Sequence, residues 1–334
     1  MNLVPLQANQ PPDRFYRGGA AIDAFRGSAR GADRRPEDWV GSTTTLSSET
    51  RLGLTTLPGG ELLRDAVAAN PEEWLGTAHL EAFGPETRLL VKLLDAGQRL
   101  PVHAHPSDEF AVRHLHLPNG KAEAWFILSG GSVYAGLREH VSREALRALV
   151  DNQDTEGMLG LLHERRVEPG ELVYIPPGVL HAIGAGVLLL ELQQPADLSI
   201  LLEWRDFELD GRADGHIGLG FDRALEAVEH DPRPIDELII TVAEGEAVLP
   251  DGGDAYFRLE RVPVADDEAK TVDAGFAVVV VESGAIFIEP EFGEPVRFTA
   301  GSTLLAPHGA GPLTIRGDGT VLLARPPRPM RANS

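Results

Sequence analysis

The chain of 334 residues contains no cysteine. Disulfides are therefore excluded, as is any thiolate metal site, so the ligands of a metal ion must be histidine or carboxylate. Lysine is scarce too: Lys92, Lys121 and Lys270 are the whole complement, and 30 basic residues face 51 acidic ones. The formal charge of −21 repels phosphate backbones and anionic lipid, so nucleic-acid and membrane-surface roles are not expected. No apolar run reaches the roughly 20 residues of a spanning helix. Residues Met1 to Gln7 show no charged start followed by an apolar core, which makes a soluble cytoplasmic protein the expectation.

What the chain does have is the texture of short strands. Segments rich in Val, Ile and Leu, such as 88–94, 124–128, 187–192 and 276–281, are punctuated by glycine and proline, the pattern of a barrel or sandwich. The early segment 36–46 is expected to join the outer sheet of the first barrel. Helical signals are fewer. They cover 60–68, then 142–150 with a Ser142 cap and Leu146, Leu149 and Val150 at helical spacing, then 154–163, and finally 222–229. The tail from Pro326 to Ser334 reads as extended.

Two segments nearly eighty residues apart carry the chemistry. In Gly97-Gln-Arg-Leu-Pro-Val-His103-Ala-His105, period-two geometry puts both imidazoles on one face of a strand, about 7 Å apart along it. In Gly170-Glu-Leu-Val-Tyr-Ile-Pro176-Pro177-Gly178-Val-Leu-His181, a Pro-Pro-Gly turn presents His181 at a strand end. Three neutral imidazoles arriving from strands suit a divalent metal, and a carboxylate would complete its charge. On the residues alone both Glu109 and Glu123 qualify. A second copy of the turn frame runs from Gly301 to Gly309, with Pro312 where His181 stands in the first, and no H-x-H occurs beyond residue 230. His308 reads as an ordinary residue of that second turn. Two barrels are thus expected, 1–236 with a helical insert at about 141–166, and 237–334, with only the first bearing metal.

The paired spacings G-x5-H-x-H and G-x5-P-x-G-x2-H resemble the motifs of the cupin superfamily, which implies two jelly-roll barrels. A longer run is more specific. His105-Pro-Ser-Asp-Glu-Phe-Ala111 followed by Gly120-Lys121-Ala-Glu123-Ala-Trp-Phe-Ile-Leu128 resembles the type I mannose-6-phosphate isomerases, which read roughly Q-V-H-P-D-D-E-Y-A and G-K-T-E-x-W-Y-I-L. Leu90-Val-Lys-Leu-Leu-Asp95, Pro176 to Gly184 and Leu190 to Asp197 extend the likeness over about 85–230. The resemblance implies a metal held by His103, His105, Glu123 and His181, with zinc the family's ion and manganese or Fe(II) compatible with the same donors. It implies a sugar-binding or proton-shuttling role for Lys121 and a carboxylate near the reacting carbons at Glu191. The reaction implied is aldose–ketose isomerisation of mannose 6-phosphate and fructose 6-phosphate through a cis-enediol, on a small-molecule sugar or sugar phosphate as partner.

The chain departs from the family at three places. His103 replaces a glutamine, which keeps a lone pair for the metal. Pro101 replaces a serine and removes both a hydroxyl and an amide hydrogen that a phosphate could use. The family's arginine after the Q-Q-N-S-D run has no counterpart before Arg205, which stands either within reach of the site or on the surface. An isomerase of unphosphorylated sugars is therefore the alternative reading. An Fe(II) dioxygenase and a sugar-binding or sensing protein are the readings from other classes.

Overall fold

The computed structural model describes residues 1–47 and 49–329; the last part of the tail read as extended, 330–334, lies outside the described residues. The molecule is mainly β, and its named strands pair antiparallel throughout. Two sheets make the N-terminal barrel. One has six strands in the order Ile239–Thr241, Glu171–Ile175, Glu123–Ser129, Leu188–Gln193, Leu90–Asp95 and Glu37–Val40. The other has five: Ile200–Leu201, His103–Ala104, His181–Ile183, Gly131–Leu137 and Leu162–Val167. An eight-stranded sheet forms the C-terminal part, dominated by the long pair Ala277–Pro290 and Leu313–Arg325.

Both faces of the six-stranded sheet are buried, which explains why its strands read as continuous apolar runs rather than alternating ones. Leu94, Trp125, Ile127 and Leu189 point into the N-terminal barrel. Their neighbours Val91, Leu93, Phe126, Leu190 and Leu192 point the other way and pack against Val278, Val280 and Leu322 of the eight-stranded sheet. A polar side chain on the inward face is thus enclosed by two sheets. Two segments cross over between the two parts. Val4–Leu6 pairs with Thr303–Ala306, and Ile239–Thr241 pairs with Glu171–Ile175.

The insert expected at about 141–166 is shorter in the structure, its two helices lying between the strands Gly131–Leu137 and Leu162–Val167. Arg143–Asn152 starts where Ser142 accepts a hydrogen bond from the Ala145 amide, and Thr155–Gly160 starts where Asp154 accepts from Gly157. Leu146, Val150 and Met158 bury against Val102, Ala104, Leu180 and Ala182, the outer face of the histidine-bearing strands. The second helix is shorter than the reading to His163, because Leu162–Val167 leaves the helix and pairs with Gly131–Leu137. Glu37–Val40 is the edge strand of the six-stranded sheet, as expected for the 36–46 segment. No described helix is long and apolar enough to cross a membrane.

Candidate metal centre

His103 and His181 lie directly opposite one another in the five-stranded sheet. Two local devices place the loop that follows. The Gly178 amide, in the Pro-Pro-Gly turn with φ of 90°, donates to the His105 carbonyl at 2.7 Å. The Lys121 amide donates to the Pro106 carbonyl at 3.0 Å. A Cβ on Gly120 would lie 2.1 Å from that same carbonyl oxygen, so glycine here lets the Glu123 strand approach the histidine loop. Asp108 locks the approach by accepting from the Gly120 amide at 2.8 Å and from the Gln194 side chain at 2.9 Å.

The four residues read as ligands converge: one donor atom from each of His103, His105, Glu123 and His181 lies within 4.8 Å of the others, and all four are buried. Hydrogen bonds set the histidine tautomers. Nδ1 of His103 is 2.8 Å from the Pro101 carbonyl, that of His105 is 2.8 Å from Leu198, and that of His181 is 2.8 Å from Val179. A carbonyl can only accept, so each Nδ1 carries the hydrogen and each Nε2 is left with a lone pair. Those lone pairs face inward. Nε2 of His181 is 2.9 Å from Nε2 of His103 and 3.2 Å from the Glu123 carboxylate, and Nε2 of His105 is 3.0 Å from the other oxygen of that carboxylate. Neutral lone pairs and a carboxylate packed this closely repel unless a cation sits among them. The donor set therefore fits a divalent metal.

The ionisation states point the same way. Burial, reinforced by the other two imidazoles, holds His103 well below its ordinary value. Burial and the Lys121 ammonium bring His105 down to about 3. Burial opposes ionisation of Glu123, but Lys121 and His105 outweigh it and hold the carboxyl well below the usual range. These three groups stand in the deprotonated forms that metal ligation requires. The Trp125 indole donates to Glu123 at 3.0 Å and fixes its orientation.

A cavity of about 600 Å³ opens above this cluster. Lys121 and Glu191 both line it. Lys121 is only 5% exposed, so it is not a solvent-facing residue; its Nζ lies 2.7 Å from Glu123 and 3.8 Å from Glu191. Glu191 pairs in register with Lys92 on one side and Trp125 on the other, which points all three side chains into the barrel. Burial pushes its carboxyl up to about 7, against the pull of Lys92 at 3.2 Å and Lys121.

Arg205 does not reach this cavity. It is exposed, its guanidinium bonds the Asn152 carbonyl at 3.2 Å, and its backbone is held by the Gln153 side chain. Glu109 is likewise outside, ion-paired with Arg113 on the surface. Pro101 does line the cavity. His308 packs its ring against Gly76, far from the ligand cluster in sequence and outside it in space. The wall that sequence reasoning missed comes from the N-terminal segment. Arg14, Tyr16 and Glu37 line the cavity, and buried Glu37 accepts from both Arg14 and Tyr16 while lying 3.6 Å from Lys92. The scarcity of lysine singles out Lys92, but nothing local in the sequence pairs it with residues more than fifty positions earlier.

Comparison with known proteins gives one consistent result. No family model matches the chain. The probable mannose-6-phosphate isomerase GmuF of Bacillus subtilis (strain 168) is 29% identical over 324 residues, covering 94% of this chain and 96% of that protein. Mannose-6-phosphate isomerase ManA of the same organism is 28% identical over 263 residues, covering 74% of this chain and 78% of the relative. The crystal structure of mannose 6-phosphate isomerase from Bacillus subtilis superposes with a TM-score of 0.76 at 22% identity, covering 97% of this chain and all of that one.

Proposed function

We propose that this chain, a member of the type I mannose-6-phosphate isomerase family, is a metal-dependent aldose–ketose isomerase. The observation that carries the reading is the cluster of three inward Nε2 lone pairs and one carboxylate beneath a cavity of about 600 Å³. His103, His105, Glu123 and His181 would hold the ion, and zinc is the ion we assign, with manganese or Fe(II) suited to the same donors. When bound, it acts as a Lewis acid toward the sugar's oxygens.

The chain's own residues supply the rest. Moving a proton between adjacent carbons needs a group that both takes and returns it near neutral pH. Glu191 is such a group, buried and raised to about 7, and it faces the cavity beside Lys121. Lys121 holds Glu123 and Glu191 in fixed relation and offers its remaining hydrogens to the cavity. The first assay pair, taken from the relatives' names, is mannose 6-phosphate and fructose 6-phosphate. With protein loaded with zinc, isomerisation of a hexose or its 6-phosphate is expected, is lost on chelation, and returns when metal is restored. Oxygen uptake by an iron-loaded sample with no isomerisation would overturn the reading in favour of a dioxygenase.

A further inference from the structure

We infer that Ile217 is a specificity-determining residue of this cavity, seated against the substrate's distal carbons, an inference that rests on the isomerase reading above. The observation behind it is a costly turn at the cavity wall. The Leu219 amide donates to the His216 carbonyl at 3.0 Å, and both residues between them are left-handed, Ile217 with φ of 50° and Gly218 with φ of 80°. Such turns are built from Gly, Asn and Asp, because a Cβ crowds the backbone there. A β-branched side chain is the least suited to that conformation. Gly218 meets the demand and Ile217 does not. A residue held in such a conformation calls for a reason outside the turn itself.

The fold supplies one. Gly215 docks the loop on the strand beside the one that carries His103: its carbonyl accepts from the Leu201 amide at 2.8 Å, and Leu201 pairs in register with His103. A Cβ at position 215 would lie 2.7 Å from the Leu201 carbonyl oxygen, so glycine permits this approach. Two residues on, Ile217 lines the cavity together with Leu115 and Leu117. Those leucines leave the π-helical turn Ala111–Leu115 on either side of His116, itself left-handed with φ of 58°. Leu117 is 40% exposed, a large apolar side chain left open beside the cavity. Ile217 also rests in part on the apolar cluster of Phe221 and Leu202, which limits the freedom of its side chain. The cavity thus has two unlike walls. Lys92, Lys121 and Glu191 offer charge beside the ligand cluster, whereas Leu115, Leu117 and Ile217 offer apolar surface. A sugar divides the same way: its oxygens suit the charged wall and its C–H edges suit the apolar one. The reacting carbons belong beside Glu191, which leaves the carbons farther along the chain for Ile217.

The test is calorimetric titration of zinc-loaded full-length protein with mannose 6-phosphate and with lyxose 5-phosphate, the same configuration one carbon shorter. Ile217→Gly is expected to weaken binding of mannose 6-phosphate about tenfold, the low end for one lost methylene contact, and that of lyxose 5-phosphate by less than about threefold. Glycine relieves the turn while giving up partial packing, so the unfolding midpoint should stay within about 3 °C of the parent's. Leu117→Ala changes a side chain on the opposite part of the apolar wall that folding does not need, and it is expected to repeat the selective loss. Equal weakening of both esters with a lower midpoint, or no weakening in either variant, would overturn the inference and make Ile217 a packing residue only. If the parent protein binds both esters but isomerises neither, the isomerase reading fails while the ratio of the two affinities still decides the role of Ile217. Isomerisation with that ratio unmoved in both variants overturns the inference alone, and a parent protein that binds neither ester overturns it as well.

Discussion

Replacing His181 with alanine is expected to release the metal and abolish isomerisation together, with turnover lower by about a thousandfold or more. His181 is fully buried, faces His103 across the sheet, and brings its Nε2 to 2.9 Å from that of His103 and 3.2 Å from Glu123. Removing it takes away one of four donors and opens a void that water will fill. The stabilisation of developing charge lost with the ion is several kcal/mol, and each 1.36 kcal/mol is a factor of ten in rate. Folding should survive, because the deleted group is one of a set of lone pairs that repel each other in the metal-free protein. Elemental analysis, turnover and circular dichroism on the same sample check all three expectations. His103→Gln is the matched comparison: an amide oxygen still offers a lone pair, so metal should be retained there. Full metal occupancy with near-normal turnover in His181→Ala would remove His181 from the ligand set.

Lys121→Met is expected to keep the metal and lower kcat by about a hundredfold. Methionine preserves much of the buried stem, so the change removes charge rather than volume. Two effects follow. Glu123 loses the partner at 2.7 Å that holds it beside the histidines. Glu191 loses one of the two ammonium groups that lower its proton affinity, leaving Lys92 alone against burial. The sign is definite: removing a cation raises the Glu191 carboxyl further, so more of it is protonated at neutral pH and less is available as a base. The acid limb of the pH–kcat profile should therefore move to higher pH. Metal content unchanged, kcat unchanged and the profile unmoved would make Lys121 a structural charge with no part in turnover.

The site was legible in the sequence where its geometry is local. H-x-H on a strand and a Pro-Pro-Gly turn before a histidine are short-range patterns, and the structure brings His103, His105 and His181 together. Glu123 was less legible, since Glu109 is an equal candidate by residue type. Only the resemblance separated them, and the structure puts Glu109 on the short helix Asp108–Phe110, exposed and paired with Arg113. Arg205 illustrates a different limit. Its distance along the chain from Gln194 says nothing of its direction, which is set by Gln153, a residue of the insert whose side chain caps the Trp204 and Arg205 amides. The helix over 154–163 was carried too far because Leu161 and Leu162 continue its apolar spacing, while the pairing that turns Leu162–Val167 into a strand is made with residues about thirty positions away. The Arg14, Tyr16 and Glu37 wall left no local trace at all. It exists because the N-terminal segment contributes an edge strand to a sheet whose other members lie much later in the chain.

X-ray absorption at the zinc edge of protein loaded with one equivalent of metal is the most direct test of the central claim. One tightly bound ion is predicted, with about three imidazole nitrogens and one carboxylate oxygen at about 2.0–2.2 Å, together with at most solvent or substrate oxygen. A spectrum dominated by oxygen donors, or a metal content well below one per chain after dialysis, would contradict it.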